Sequence, residues 1–281
     1  MTSVSDGLNN IKQSFRHAVR RMQAIIEAPQ HDIPNAIINH DLGMVRYLSR
    51  HLDHPEINNA LQIAAMEDAD EIAKFLVEEK GASSTLLALS AAVSRGNKKV
   101  ADYLGFRTPT CVAYYGIYSG RVKGKMDQGV LSLYGAPEGI PHPLSWAVMG
   151  DNVEFLKANR AEILNIADTN AQSVETSAGG LFRRAASSNA VKCLKFLNEN
   201  YTIDINQPDQ DITCLAEATS NGHKEAMQYL YEECGADPEA GKYSAHYMAT
   251  YTSCGRDKIG HEDLISILGR HPKPHIKPVL S

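Results

Sequence analysis

An aromatic residue followed directly by leucine recurs six times, as Tyr47-Leu48, Phe75-Leu76, Tyr103-Leu104, Phe155-Leu156, Phe196-Leu197 and Tyr229-Leu230. The leucines are spaced by 28, 28, 52, 41 and 33 residues. In five of the six, an alanine stands twelve residues before the leucine: Ala36, Ala64, Ala92, Ala185 and Ala218. In the same five, His40, Asp68, Gly96, Asn189 or Gly222 stands eight before it. Three features at fixed offsets mark an internal repeat, and the repeat governs the fold. Alanine lets two helices approach closely. Gly, Asn and Asp tolerate the positive φ of a tight turn best. Apolar residues such as Ile72, Phe75 and Leu76, or Ala226, Tyr229 and Leu230, then form one buried stripe on a second helix. A pair of helices this short cannot bury its own apolar face, so the units must stack.

The sixth unit, Asp211 to Leu230 followed by Cys234-Gly235-Ala236-Asp237-Pro238, resembles an ankyrin repeat, with Cys214 where proline is usual. The unit from Ala60 to Ala82 is similar, closing on Gly81-Ala82. His142-Pro143-Leu144-Ser145-Trp146-Ala147 resembles the family's T-P-L-H-x-A, and Ile203-Asp204-Ile205-Asn206 its closing A-D-V-N. The resemblance covers roughly residues 32–104 and 141–268. It implies an all-α solenoid of about six to seven helix-turn-helix units whose inner helices and fingers form a concave protein-binding surface.

Several departures from the pattern carry expectations. The two 28-residue steps fall short of the family's 33, which predicts clipped connections. Only nine residues separate Ala147 from Leu156, which predicts a fourth unit lacking most of a helical turn. An insertion around Ser253-Cys254-Gly255-Arg256-Asp257 marks a seventh, capping unit. Residues 1–31 form an N-terminal cap, because Leu8, Ile11, Phe15, Val19, Met22 and Ile26 make one amphipathic stripe over 6–28. Residues 105–140 break the period. They hold seven glycines, the tyrosines Tyr114, Tyr115, Tyr118 and Tyr134, and the basic run Arg121, Lys123 and Lys125. Aliphatic and aromatic alternation bounded by glycine predicts short strands at Thr110–Tyr118 and Val130–Tyr134, a β-hairpin-like insertion. Residues 269–281 form a proline-rich, basic, extended tail.

Composition excludes some classes. No run reaches the ~18 apolar residues of a membrane span, and the N-terminus lacks a signal-peptide core. Five cysteines with no C-x-x-C pair fit a reducing, cytoplasmic setting rather than a disulfide framework. A net charge of −5 gives no general attraction to nucleic acid or anionic membrane. The four basic residues opposite the 6–28 stripe are too few to make membrane contact the favoured role of that helix.

The chemical motifs fail one by one. Ser119 and Met126 break the phosphate-loop pattern around Gly120-Arg121-Val122-Lys123-Gly124-Lys125. Cys254, His261, His271 and His275 lack the close spacing of a zinc site, so neither metal nor cofactor is expected. Arg183-Arg184 with Ser187-Ser188 reads as a solvated helix face rather than a phospho-acceptor motif.

The expected function is protein–protein binding by a monomer. The residues two and three after the marker alanine should face the partner: Met66 and Glu67, Ser94 and Arg95, Ser187 and Ser188, Ser220 and Asn221. The finger Asp209, Gln210 and Asp211 should stand beside them. Tyr114, Tyr115, Tyr118, Arg121 and Lys123 form the second candidate contact, since exposed tyrosine and arginine anchor interfaces. The alternative is an enzyme with its site in 105–142, Cys111 the nucleophile and His142 its base. Uneven repeats with a private insertion also resemble effectors that intracellular bacteria deliver to the host cytosol, in which case the partner is a host protein.

Overall fold

The computed structural model describes residues 33–125, 140–167, 176–251 and 261–269. The amphipathic stripe of 6–28, the strand expected at Val130–Tyr134, the Ser253–Asp257 insertion and the tail beyond Gly269 lie outside them. Two compact units divide the chain, residues 1–104 and 105–281.

Among the described residues the first unit holds three helix pairs: α1 (Ile33–Ile38) with α2 (Leu42–Leu48), α3 (His54–Met66) with α4 (Asp70–Glu78), and α5 (Thr85–Ser94) with α6 (Lys98–Leu104). Short connections at 49–53 and 79–84 link the pairs, as the 28-residue steps imply. Ile37, Leu61, Ile72, Leu76, Leu89 and Leu104 are fully buried between them. The second unit opens with α7 (Pro109–Tyr118). It continues through α8 (Pro143–Met149) with α9 (Val153–Ala158), α10 (Ala178–Ser187) with α11 (Val191–Asn200), and α12 (Cys214–Ser220) with α13 (Lys224–Gln228). A π-turn, Tyr229–Glu233, prolongs α13. Then come α14 (Ala245–Tyr251) and α15 (His261–Leu268). Its core is built on Leu144, Trp146, Phe155, Leu156, Leu181 and Phe182. Among the described residues extended pairing is confined to two isolated bridges, Leu164 with Ser177 and Asp209 with Ile212.

One turn closes each pair. His40, Asp68, Gly96, Asn189 and Gly222, the residues picked out by their offset from leucine, have φ between 53° and 72°. The next residue's N–H returns to the carbonyl of the marker alanine at 2.8–2.9 Å: Asp41 to Ala36, Ala69 to Ala64, Asn97 to Ala92, Ala190 to Ala185 and His223 to Ala218. This is the six-to-one bond of a Schellman motif. It satisfies a carbonyl the helix end would otherwise leave bare and turns the chain into the second helix. All five alanines are buried, so a larger side chain there would separate the helices.

The fourth unit corrects one expectation. Its turn is complete: Asp151 has φ 52° and Asn152 N–H returns to Ala147 at 2.8 Å. No helical turn is lost. Counted from Ala147, Phe155 and Leu156 take the places of Ile72 and Ala73 rather than those of Phe75 and Leu76. The slot twelve residues after the marker holds Asn159, which is buried at 4% exposure. A pair of residues that looked like the repeat's aromatic-leucine signature sits three residues early.

The strand expected at Thr110–Tyr118 is helix α7. Thr108 caps it, its Oγ1 accepting from Cys111 N–H at 3.1 Å, and Pro109 occupies the first turn. Gly120, φ 72°, ends it. A cap twelve residues before a left-handed residue also frames α5 (Ser84 to Gly96) and α10 (Ser177 to Asn189). Helix α7 is therefore the first helix of a further unit, with Gly116 in the marker position. The region is not a β-hairpin-like insertion in its described part.

Candidate functional site

A side-chain ladder runs along the turns of successive pairs. The left-handed residue accepts an N–H from the second helix of the following pair. Asp68 Oδ1 takes Val100 N–H at 3.4 Å, Asp151 Oδ1 takes Cys193 N–H at 3.0 Å, and Asn189 Oδ1 takes Ala226 N–H at 3.0 Å. The next residue reaches the opposite way. Asn97 Nδ2 donates to Ala65 O and Met66 O at 2.6 and 2.7 Å. Asn152 Nδ2 donates to Ile117 O and Val122 O at 2.7 and 2.8 Å. His223 Nε2 lies 3.0 Å from Ser187 O, which can only accept, so that nitrogen carries the hydrogen. Asn152 also caps its own helix, Oδ1 accepting from Phe155 N–H at 3.2 Å. Two groups along this ladder titrate away from their ordinary values, for different reasons. The bond from Asn189 Nδ2, 2.9 Å, holds the Glu225 carboxyl below its ordinary value. Burial, then the neighbouring Asp151 carboxylate, pushes the Cys193 thiol far up.

The ladder decides what the expected contact residues can do. Met66 and Glu67 are half-buried, as are Ser187, Ser188, Ser220 and Asn221, whereas Ser94 and Arg95 are exposed. At these positions the ladder takes main-chain carbonyls, those of Ala65, Met66 and Ser187. With Gly116 as the marker of α7, Tyr118 falls at the same register as Met66 and Ser94; it is half-buried. Tyr114 and Tyr115, expected as exposed anchors, are buried at 3% and 5%. They point inward because α7 is a helix: Tyr114 packs against the buried Trp146 with ring centroids 5.3 Å apart. Arg121 and Lys123 are exposed.

The finger is a two-residue hairpin turn. Asp209 and Ile212 exchange N–H···O bonds at 2.9 and 3.0 Å, and Gln210 and Asp211 between them both have positive φ, 46° and 69°. Gln210 and Asp211 are exposed, and Asp209 is buried. Asp209 turns inward to a residue expected on a solvated face. Arg183 is 9% exposed. Its Nη1 donates to Ile212 O at 3.0 Å, its Nη2 lies 2.9 Å from Glu217 Oε2, and its Nε lies 3.8 Å from Asp209 Oδ2. Arg183 thus fixes the finger onto α10 and α12. Burial raises the Glu217 carboxyl above its ordinary value, and Arg183 pulls against that rise. The sequence showed an Arg-Arg pair but not which one faced the next unit.

The candidate catalytic pair reads differently in place. Cys111 is fully buried in α7. His142 stands where threonine stands in T-P-L-H and caps α8, its Nδ1 accepting from Leu144 N–H at 3.2 Å. An imidazole nitrogen accepting that bond is not a free base. Among the described residues no three His, Cys, Asp or Glu side chains are placed to hold a metal ion. Of the four residues tested for zinc, only His261, at the start of α15, lies among them. No helix among them is long and apolar enough to cross a membrane.

No known family's sequence profile matches the chain, and no curated protein matches it. Among solved structures, the human ASB11 ankyrin repeat domain matches 86% of this chain and 99% of its own, at 18% identity and a TM-score of 0.34. The marker alanines, the left-handed turns and the helix pairs they close rest on this chain's own residues, and by them the described residues form an all-α array of repeated helix-turn-helix units.

Proposed function

We propose that the chain is a protein-binding array that catalyses nothing itself, with partner contacts at the residues flanking the turns and at the tip of the Asp209–Ile212 finger. One observation carries the reading. The ladder that joins the pairs draws on main-chain carbonyls at the turn positions, so the side chains there can vary from unit to unit without disturbing the stack. Ser94 and Arg95 are exposed beside such a turn, and Gln210 and Asp211 at the tip of the finger. A scaffold with constant backbone bonding and variable exposed side chains suits recognition by shape and charge, in which a few residues supply most of the energy. Fold alone does not fix this, so the test is direct. Partners captured from eukaryotic lysate by the full chain are compared with those captured by Arg95→Glu and by the Gln210→Ala/Asp211→Ala double variant. A partner lost with either variant while the melting temperature holds supports the reading. A partner set identical for all three sinks it at those positions.

Point variants are preferred to deletion of α7 and the loop after it, which would remove the Ile117 and Val122 carbonyls that Asn152 needs. Point variants keep the stack. The enzyme reading receives no support from Cys111, which solvent does not reach. The effector reading rests on the uneven unit spacing, and a translocation-reporter fusion expressed in an intracellular bacterium tests it.

A further inference from the structure

We propose that the segment from Phe106 to Lys125 is a preformed docking strip for an acidic, extended protein segment that carries an apolar side chain. This rests on the protein-binding reading above and names the chemistry of one partner. Between Gly105 and Lys125 the chain carries Arg107, Arg121, Lys123 and Lys125 and not one carboxylate, in a protein whose net charge is −5. The basic groups are exposed, and so are three apolar side chains of the segment, Phe106 at 54%, Val112 at 47% and Val122 at 40%.

The strip is built rather than merely basic. The Arg121 guanidinium lies over the Phe106 ring at 5.0 Å. Phe106 meets Tyr115 edge-on at 5.6 Å, and Tyr115 leans on Tyr118 at 5.8 Å. Stacking fixes the guanidinium plane and leaves its edge donors free to face a carboxylate in the two-pronged geometry arginine favours. The loop beyond α7 is tied down from beneath. Val122 N–H returns to Gly116 O at 2.9 Å, Asn152 Nδ2 holds Val122 O at 2.8 Å, and Asn159 Nδ2 holds Gly124 O at 3.1 Å. The carbonyls of 122 and 124 are thus bonded to buried asparagines, while 121, 123 and 125 carry the exposed charges. Asn159 takes a slot that leucine fills in five other units, and its Nδ2 makes a bond to this loop that leucine could not. Ordering a cationic loop in advance lowers the entropy cost of binding.

The charge count favours a peptide over a polyanion. Nucleic acid or an anionic bilayer would feel the whole chain's negative charge, and four cations beside exposed Phe106 and Val122 match a few carboxylates and one apolar anchor.

The test uses the full chain and a short fluorescein-labelled peptide alternating Glu and Leu, with a Gln-for-Glu peptide as control and heparin and phosphatidylserine vesicles as competing polyanions. Anisotropy should show binding of the Glu peptide that weakens with salt. Arg121→Glu with Lys123→Glu should weaken it about tenfold, the sum of a few exposed charge pairs. The neutralising pair Lys123→Gln/Lys125→Gln should weaken it less, and Asn159→Leu should weaken it with every charge retained. Far-ultraviolet circular dichroism confirms that each variant is folded. Equal affinity for the Glu and Gln peptides, no change on charge reversal, or binding of heparin or vesicles without the Glu peptide would each overturn the proposal. Those failures leave the protein-binding reading intact if Arg95→Glu still loses a captured partner, so the two are separable.

Discussion

The side-chain amide of Asn152 donates to the Ile117 carbonyl at 2.7 Å, and in doing so marks α7 as a member of the array. Asn97 makes the equivalent bond to Ala65, one residue past the marker Ala64, as Ile117 is one past Gly116. The same rung therefore occurs in both compact units, and its consequences can be measured in each.

Asn152→Ala should cost about 2–4 kcal/mol, because it bares the buried Ile117 carbonyl and the part-buried Val122 carbonyl and removes the cap of α9. Asn152→Asp should be no milder, since a carboxylate cannot donate to Ile117 or Val122. Urea unfolding gives the values. A loss below about 0.5 kcal/mol would mean that water replaces the rung.

Gly150 and Gly96 differ in a way that their common residue type hides. A Cβ on Gly150 would stand 1.8 Å from the Tyr118 carbonyl oxygen, which is backbone and cannot swing aside. At Gly96 a Cβ would meet nothing within 4 Å, and the cost is only that of a positive φ. Gly96→Ala should cost about 1 kcal/mol, and Gly150→Ala clearly more, by shifting α7 away from α8. Equal melting temperatures for the two variants would contradict the close approach.

Arg183→Met should destabilise the second unit by about 3 kcal/mol, since it leaves the Asp209 and Glu217 carboxylates facing each other without their cation. Adding Glu217→Gln should recover part of that loss. No recovery would mean that the shape of the finger, rather than charge, sets the cost.

Glu217 also sets a sign with pH. Burial raises its carboxyl in the folded chain, so its contribution is fully present below the unfolded carboxyl's value of about 4.3. It is lost as pH rises through the higher folded value. The stability of the parent chain relative to Glu217→Gln should accordingly fall as pH rises above about 4.3. The opposite slope in paired chemical denaturations would show that attraction to Arg183 outweighs burial.

Asn159→Leu should leave the melting temperature nearly unchanged or raise it, because leucine suits the slot in five other units. It should nonetheless free the Gly124 carbonyl. Limited trypsin digestion should then cut faster after Arg121, Lys123 and Lys125 than in the parent chain. An unchanged cutting rate would show that Asn152 alone holds the loop.

Much of this was legible in the sequence. The offsets from leucine named five marker alanines and five left-handed residues correctly, because a tight turn admits few residue types and a close helix approach fewer still. His142 was legible as the residue in the threonine position of the repeat, though its capping bond to Leu144 N–H was not. The errors have physical causes too. Phe155-Leu156 looks like the aromatic-leucine pair, but only the turn at Asp151 shows that it lies three residues early. Alternation in Thr110–Tyr118 looks like a strand, yet the Thr108 cap and Pro109 start a helix, and the cap-to-turn distance shared with α5 and α10 was the overlooked signal.

The sequence alone determined the repeating unit: a helix, a left-handed turn and a second helix, each set by steric rules that act within a dozen residues. The tertiary structure decided what joins the units. Whether Arg183 or Arg184 turns inward, whether Asn159 packs like leucine or bonds like an amide, and whether Tyr114 is an anchor or core depend on a neighbouring unit's carbonyls and rings. Those partners lie some thirty residues away along the chain, and no local pattern records them.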